Sequence, residues 1–194
     1  YTAPENIIEG EQGLGSLFST DFNYERGFKG LGKDYNIMGI SFKPYASCLY
    51  THPVIYGISQ LKEKYQITPE DVEKIDCQVS RFCYDAACKE RPQTGLAAKF
   101  SSYYCAAIAL VEGKAGSDLF RDECLKIEKY LQCMEKVKIV LNPSLTESEA
   151  KITIYFNNGQ CFSCHVDHPL GDPWNPLDDK SLERKARDLL KMKY

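Results

Sequence analysis

"KITIYFNNGQCFSCHV", residues 151–166, reads as two strands joined by a tight turn. Ile152, Ile154 and Phe156 alternate onto one face, and Gln160 to Val166 forms the returning strand. Between them, Asn157-Asn158-Gly159 offers residues that accept the backbone of a hairpin turn. The same stretch holds Cys161, Cys164 and His165 in the spacing C-x-x-C-H. That is the spacing of c-type haem attachment, and with His168 nearby it also suggests zinc. The hairpin argues against both. Side chains alternate along a strand, so Cys161 and Cys164, three residues apart, point to opposite faces. Haem attachment gathers both thiols and the histidine on one side, and zinc needs a second ligand pair that His168 alone does not supply. The spacing is read as a coincidence in a chain with nine cysteines, and neither metal nor cofactor is expected.

Working outward, Lys138 to Leu141 and the alternating Ile75, Cys77 and Val79 read as further strands. Residues 35–45, "YNIMGISFKPY", alternate weakly and end at a proline, which predicts another. Val54, Ile55, Ile58 and Leu61 recur at helical spacing over 52–65. Thr68-Pro69-Glu70-Asp71 has the hydroxyl, proline and acids of a helix start. Residues 94–113 read as one buried helix closed by Gly113, followed by weaker helical stretches over 116–123 and 125–136. Asp178 or Asp179 caps a last helix over 180–192, with Leu182, Ala186, Leu189 and Leu190 on its inner face. The opening residues read as a loop and a short helix around Leu14, Leu17 and Phe18; Gly10, Gly13 and Gly15 lack the strand and the Lys-Ser/Thr of a phosphate loop. Helices mixed with hairpins predict an α+β fold, with helices packed on a small, mainly antiparallel sheet.

The chain has 194 residues and a formal net charge of -3, with no basic block, which speaks against nucleic acid as a partner. The longest apolar run, Tyr103 to Val111, is too short to span a bilayer, and no secretory leader is visible. An odd number of cysteines set within periodic segments fits reduced thiols in a cytosolic setting better than a disulfide framework.

Chemistry concentrates in "FKPYASCLYTHP", residues 42–53. A strand ends, Pro44 turns the chain, and a helix begins near His52; such junctions hold polar side chains at the rim of a sheet. Lys43 suits a carboxylate, being a compact cation with three donors. His52, at a helix start, suits a base or hydrogen-bond donor, and Cys48 lies between them. The plain alternatives are a solvated lysine, a buried structural cysteine and a capping histidine. Tyr103-Tyr104 is the second candidate: a tyrosine hydroxyl delivers a proton if a cation lowers its pKa, but otherwise ties itself to backbone in a core.

Together these stretches resemble the C-terminal domain of the MmgE/PrpD family, which includes 2-methylcitrate dehydratase and cis-aconitate decarboxylase. The resemblance runs through "IIEGEQGLGSLF", "FKPYASCLYTHPVI", "ITPEDVEKI", "AAKFSSYYCAAIALVEG", "AKITIYFNNGQ" and "GDPWNPLDDKSLERKARDLL", and matches least around Cys124 to Cys133. It implies the α+β lid of a two-domain enzyme, with residues 1–34 as linker and short helix from the end of a helical domain and 35–194 as the lid. By resemblance, Lys43 contacts a substrate carboxylate, Cys48 falls where some members place a site histidine, Tyr104 falls on a tyrosine implicated in catalysis, and His52 belongs to the motif. The family's other catalytic Asp, His and Lys residues lie in the helical domain. The implied chemistry is cofactor-free elimination or decarboxylation of small di- and tricarboxylates by a homodimer. Epimerisation of an aspartate-derived dicarboxylate is a second implied activity, and a non-catalytic lid or assembly module is the reading from another class.

Overall fold

The computed structural model describes residue 2 and residues 4–191. Tyr1, Ala3 and the Met192 end of the last expected helix lie outside the described residues. The chain divides into two units, Tyr1–Gly39 and Ile40–Tyr194. The first contains two short helices, α1 (Leu14–Phe18) and α2 (Tyr24–Phe28), and a 3-10 turn at Asn36–Gly39. Asn23 starts α2 by accepting the Arg26 N–H at 2.9 Å.

The second unit is an α+β domain on a four-stranded sheet of order β2-β1-β3-β4. Its strands are β1 (Val72–Val79), β2 (Val137–Leu141), β3 (Ala150–Phe156) and β4 (Cys161–Val166). The β1–β2 pair is parallel and the other two pairs are antiparallel. Register lines the apolar residues into rows across the sheet. Ile139, Cys77, Ile152 and Cys164 are successive partners in one row, and Val137, Ile75, Ile154 and Phe162 in the next. The opposite face carries Lys138, Asp76, Thr153 and Ser163. An apolar face this continuous has to be covered, and α3 (His52–Tyr65) and α6 (Ser102–Glu112) lie against the sheet. Val54, Ile55 and Ile58 of α3, and Tyr104 to Leu110 of α6, are fully buried. Further elements are α4 (Arg81–Ala87), α5 (Gly95–Ala98), α7 (Glu128–Glu135) and α8 (Asp179–Lys191).

The hairpin forms as read: the Phe156 and Gly159 N–H groups close the turn onto Gln160 O and Phe156 O at 2.9 Å each, and Gly159 takes φ +82°. Cys161, Ser163 and His165 face outward and Phe162, Cys164 and Val166 face the helices, so the two thiols lie on opposite faces.

Five expectations need correction. The strand over 35–45 does not form, because Asn36–Gly39 is a 3-10 turn and Phe42 makes a single backbone bond, from its N–H to Gly171 O. The expected helix at Thr68 is one 3-10 turn, Pro69–Asp71, overtaken by the alternation that starts β1 at Val72. The buried helix of 94–113 is two helices: Ser101 adopts extended backbone and caps α6 by accepting the Tyr104 N–H, breaking the run after α5. The stretch 116–123 is 3-10 rather than α-helical. In α8 no residue is buried, and Leu189 and Leu190 are exposed rather than facing inward. Asp178 starts α8 by accepting the Ser181 N–H at 2.8 Å.

At Gly57 the α3 backbone meets the sheet directly. A Cβ there would stand 2.8 Å from Ile152 Cγ1, 3.1 Å from Val166 Cγ2 and 3.2 Å from Cys164 Sγ. Gly57→Ala is therefore expected to destabilise the domain by about 1–3 kcal/mol through overpacking. Urea unfolding checks this; an unchanged midpoint would mean α3 is not seated on the sheet as described.

Candidate functional site

The connection from Lys43 to His52 is irregular, yet its backbone is tied at several points. Phe42 N–H donates to Gly171 O at 2.8 Å, Ala46 N–H to Ala115 O at 3.1 Å, and Cys48 N–H to Lys99 O at 2.8 Å. Gly171, at φ +89°, admits this approach because a Cβ there would lie 1.9 Å from Phe42 O. Inside the connection, the Ser47 and Thr51 hydroxyls bond to each other at 2.8 Å, and Thr51 Oγ1 donates to Cys48 O at 2.8 Å. Pro53 follows in the first turn of α3, where no N–H is needed.

Three side chains meet at this connection. Lys43 Nζ donates to Ser47 O at 3.1 Å and makes no ion pair among the described residues. With three ammonium protons and one bond made, it keeps donors for a ligand. His52 is 1% exposed and packs edge-on to Tyr45, with ring centroids 5.1 Å apart. Its ring also bonds the Ser47 backbone, while Nε2 is buried with no partner among the described residues. Burial, then the Lys43 charge and more weakly the Lys185 charge, push His52 down to about 4, against the pull of the Ser47 bond. His52 is thus neutral near pH 7. Burial likewise holds the Tyr45 phenol above its ordinary range.

The third side chain is Lys185, which sequence spacing gave no means of finding. From α8 it donates its ammonium to Lys43 O, across a gap of 142 residues. It too has no ion pair among the described residues. An intermittently basic, polar helix such as α8 carries no signal of which lysine turns inward.

Of the residues singled out from sequence, Lys43, Cys48 and His52 share the connection, and Cys48 is half-buried at its turn into α3. Tyr104 stands apart. It is fully buried in α6, and its hydroxyl donates to Leu119 O at 2.7 Å. Burial raises its pKa above the ordinary phenol range, with Cys124, Tyr130 and Cys105 adding to the effect. The α6 residue whose side chain reaches the connection is Cys105. Burial pushes its thiol up to about 12, and the neighbouring Thr51 and Ser47 hydroxyls pull it the other way. Tyr103 is half-buried, with its hydroxyl 3.5 Å from Glu90 Oε1.

Fold and site together define an α+β domain that presents cationic side chains on a tied connection ahead of its first sheet-covering helix. Residues 45–194 match the MmgE/PrpD C-terminal domain, and the chain belongs to that family. Membership places it in a lyase-like enzyme family and implies an associated domain. Cys48, His52, Tyr104 and Lys185 fall within the matched residues, and Lys43 lies just before them. A search of curated protein sequences returned no match. Among the described residues, no helix is long and apolar enough to cross a membrane.

The His52 environment has a measurable consequence. Its folded value lies below the ordinary 6.5, so the unfolded chain binds the extra proton between about pH 6.5 and 4. The stability due to neutral His52 is complete above that window and is lost as pH falls through it. The full loss is on the order of 3 kcal/mol. Urea unfolding from pH 7 to 4 should show a steeper loss in the parent than in His52→Asn. Equal slopes would place the imidazole in contact with solvent.

Proposed function

We propose that this domain forms the carboxylate-gripping wall of a cofactor-free lyase site that acts on small di- or tricarboxylic acids, such as 2-methylcitrate or cis-aconitate. One observation carries the reading. The ammonium groups of Lys43 and Lys185 bond the backbone of the 43–47 segment, beside a neutral histidine, and neither has a carboxylate within ion-pair distance among the described residues. Two cations without counter-ions make a local positive potential in a chain of net charge -3. Family membership supplies the lyase class.

Elimination and decarboxylation both develop negative charge next to a carboxylate, and a fixed ammonium stabilises that charge as it forms. In this reading Lys43 touches the substrate. His52 and Tyr104 act from behind the surface: His52 with Lys43 engages the Ser47 carbonyl, and Tyr104 locks α6 to the Leu119 turn. Cys48 shapes the rim. The proton-transfer groups come from the associated helical domain, which also covers the exposed Phe42 and Leu49 beside the site. Residues 1–34 are assigned to the end of that domain, and the active protein is a homodimer.

Calorimetric titration of tricarballylate into the protein with its associated domain tests this. Lys43→Ala is expected to weaken binding by about tenfold or more, as loss of a charge-assisted hydrogen bond costs about 1.5–3 kcal/mol. The urea midpoint should not move, because Lys43 is exposed. Unchanged affinity and turnover would remove Lys43 from the site.

A further inference from the structure

The open end of the β3–β4 hairpin, opposite the Asn157 to Gly159 turn, gathers three side chains that the site above does not use. Ala150 pairs with Val166 and Lys151 with His165. Continued by one residue, that register sets Glu149, just before β3, opposite Asp167, just after β4. Alternation then places residues 149, 151, 165 and 167 on the outward face. His165 Nε2 lies 3.3 Å from Glu149 Oε1 and 3.5 Å from Asp167 Oδ1. The three ligand atoms all lie within 4.8 Å of one another.

Two carboxylates directly opposite each other across a strand pair repel. Lys151, the neighbouring cation on this face, pairs with neither of them among the described residues. A proton on His165 Nε2 or a shared metal ion brings the three groups together, and the distances favour the ion. Both contacts exceed the about 2.7–2.9 Å of a charge-assisted N–H···O bond. They come close instead to the edge of a coordination tetrahedron. Bonds of about 2.0–2.1 Å to zinc set neighbouring donor atoms about 3.3–3.4 Å apart.

Glu149 is oriented in advance. Thr146 N–H donates to its Oε2 at 2.6 Å, and Glu149 N–H donates back to Thr146 O at 3.1 Å. Oε1 is left toward His165, and an outer bond of this kind fixes a ligand carboxylate. Hydrogen bonding at Thr146, with His165 adding to it, holds the Glu149 carboxyl below its ordinary value against partial burial.

We propose that Glu149, His165 and Asp167 bind a divalent cation of the zinc class, with one water completing a tetrahedral set. The imidazole selects against magnesium and calcium, which take oxygen ligands. Neither nearby thiol joins it: Cys161 lies four residues from His165 along β4, and Cys164 faces the helices. The C-x-x-C-H stretch thus contributes its histidine, and the hairpin register supplies two carboxylates in place of the sulfurs. By joining the residue before β3 to the residue after β4, the ion clips the hairpin at the end that has no turn.

The test is calorimetric titration of zinc chloride into the chelator-stripped protein with its associated domain. The expected result is one zinc equivalent that His165→Ala loses. Glu149→Gln and Asp167→Asn should each weaken it by about tenfold or more. His165 and Asp167 are exposed, so these variants are expected to fold. Cys161→Ser should bind as the parent does, magnesium should not compete, and cobalt(II) at the site should show no thiolate charge-transfer band. Zinc should also slow amide exchange at the open end of the hairpin in the parent and not in His165→Ala. Absence of zinc binding by the parent would overturn the proposal. So would zinc held at parent affinity in His165→Ala, or lost in Cys161→Ser.

Discussion

At Gly57 the backbone of α3 reaches the sheet with no side chain between them, and this approach fixes where the helix lies and where it begins. The row that receives it, Ile152 and Cys164 with Val166 beside them, exists only in the register that places Asn157 to Gly159 in the turn. Because α3 starts at His52, its seating sets the depth of that imidazole. His52 and Lys43 both engage the backbone of Ser47, so a packing contact in the core determines where an ammonium group stands at the surface. The bonds to Ala115, Lys99 and Gly171 fix the remaining freedom of the connection.

The electrostatics of the site depend on what surrounds it. Lys43 is exposed, and an exposed ion pair contributes only about 0–1 kcal/mol. The same pair at 4 Å approaches about 4 kcal/mol when the effective dielectric constant falls to about 20. In the proposed site, an associated domain that excluded water would turn a weak surface cation into an effective grip. His52 contributes by remaining neutral: a third positive charge beside Lys43 and Lys185 would have to be held in a buried position. Its low pKa is the consequence of that crowding as well as of burial.

The four strands and the 52–65 helix were legible because their periodicities are strong. The 52–65 helix and the 151–166 hairpin form where their alternation and spacing place them. Local signals misled where a tertiary partner was decisive. Phe42 had strand character but finds only Gly171, and Thr68-Pro69 had a cap but runs into β1. Ser101 looked like a residue inside a helix and is a cap, because Lys89 O accepts its hydroxyl. In the site, the grouping of Lys43, Cys48 and His52 follows from their closeness in sequence. Lys185 was illegible for the opposite reason, since its contact spans the length of the domain. The engagement of the Tyr104 hydroxyl by Leu119 likewise depends on a 3-10 turn with no pattern of its own.

The most direct measurement is a crystal structure of the protein with its associated domain and bound tricarballylate. The expected result is a ligand carboxylate about 2.7–2.9 Å from Lys43 Nζ, with Lys185 on the same side and the Ser47 carbonyl still accepting Lys43. A ligand bound elsewhere, with Lys43 in contact only with Ser47 and solvent, would contradict the assignment of this connection as the carboxylate grip.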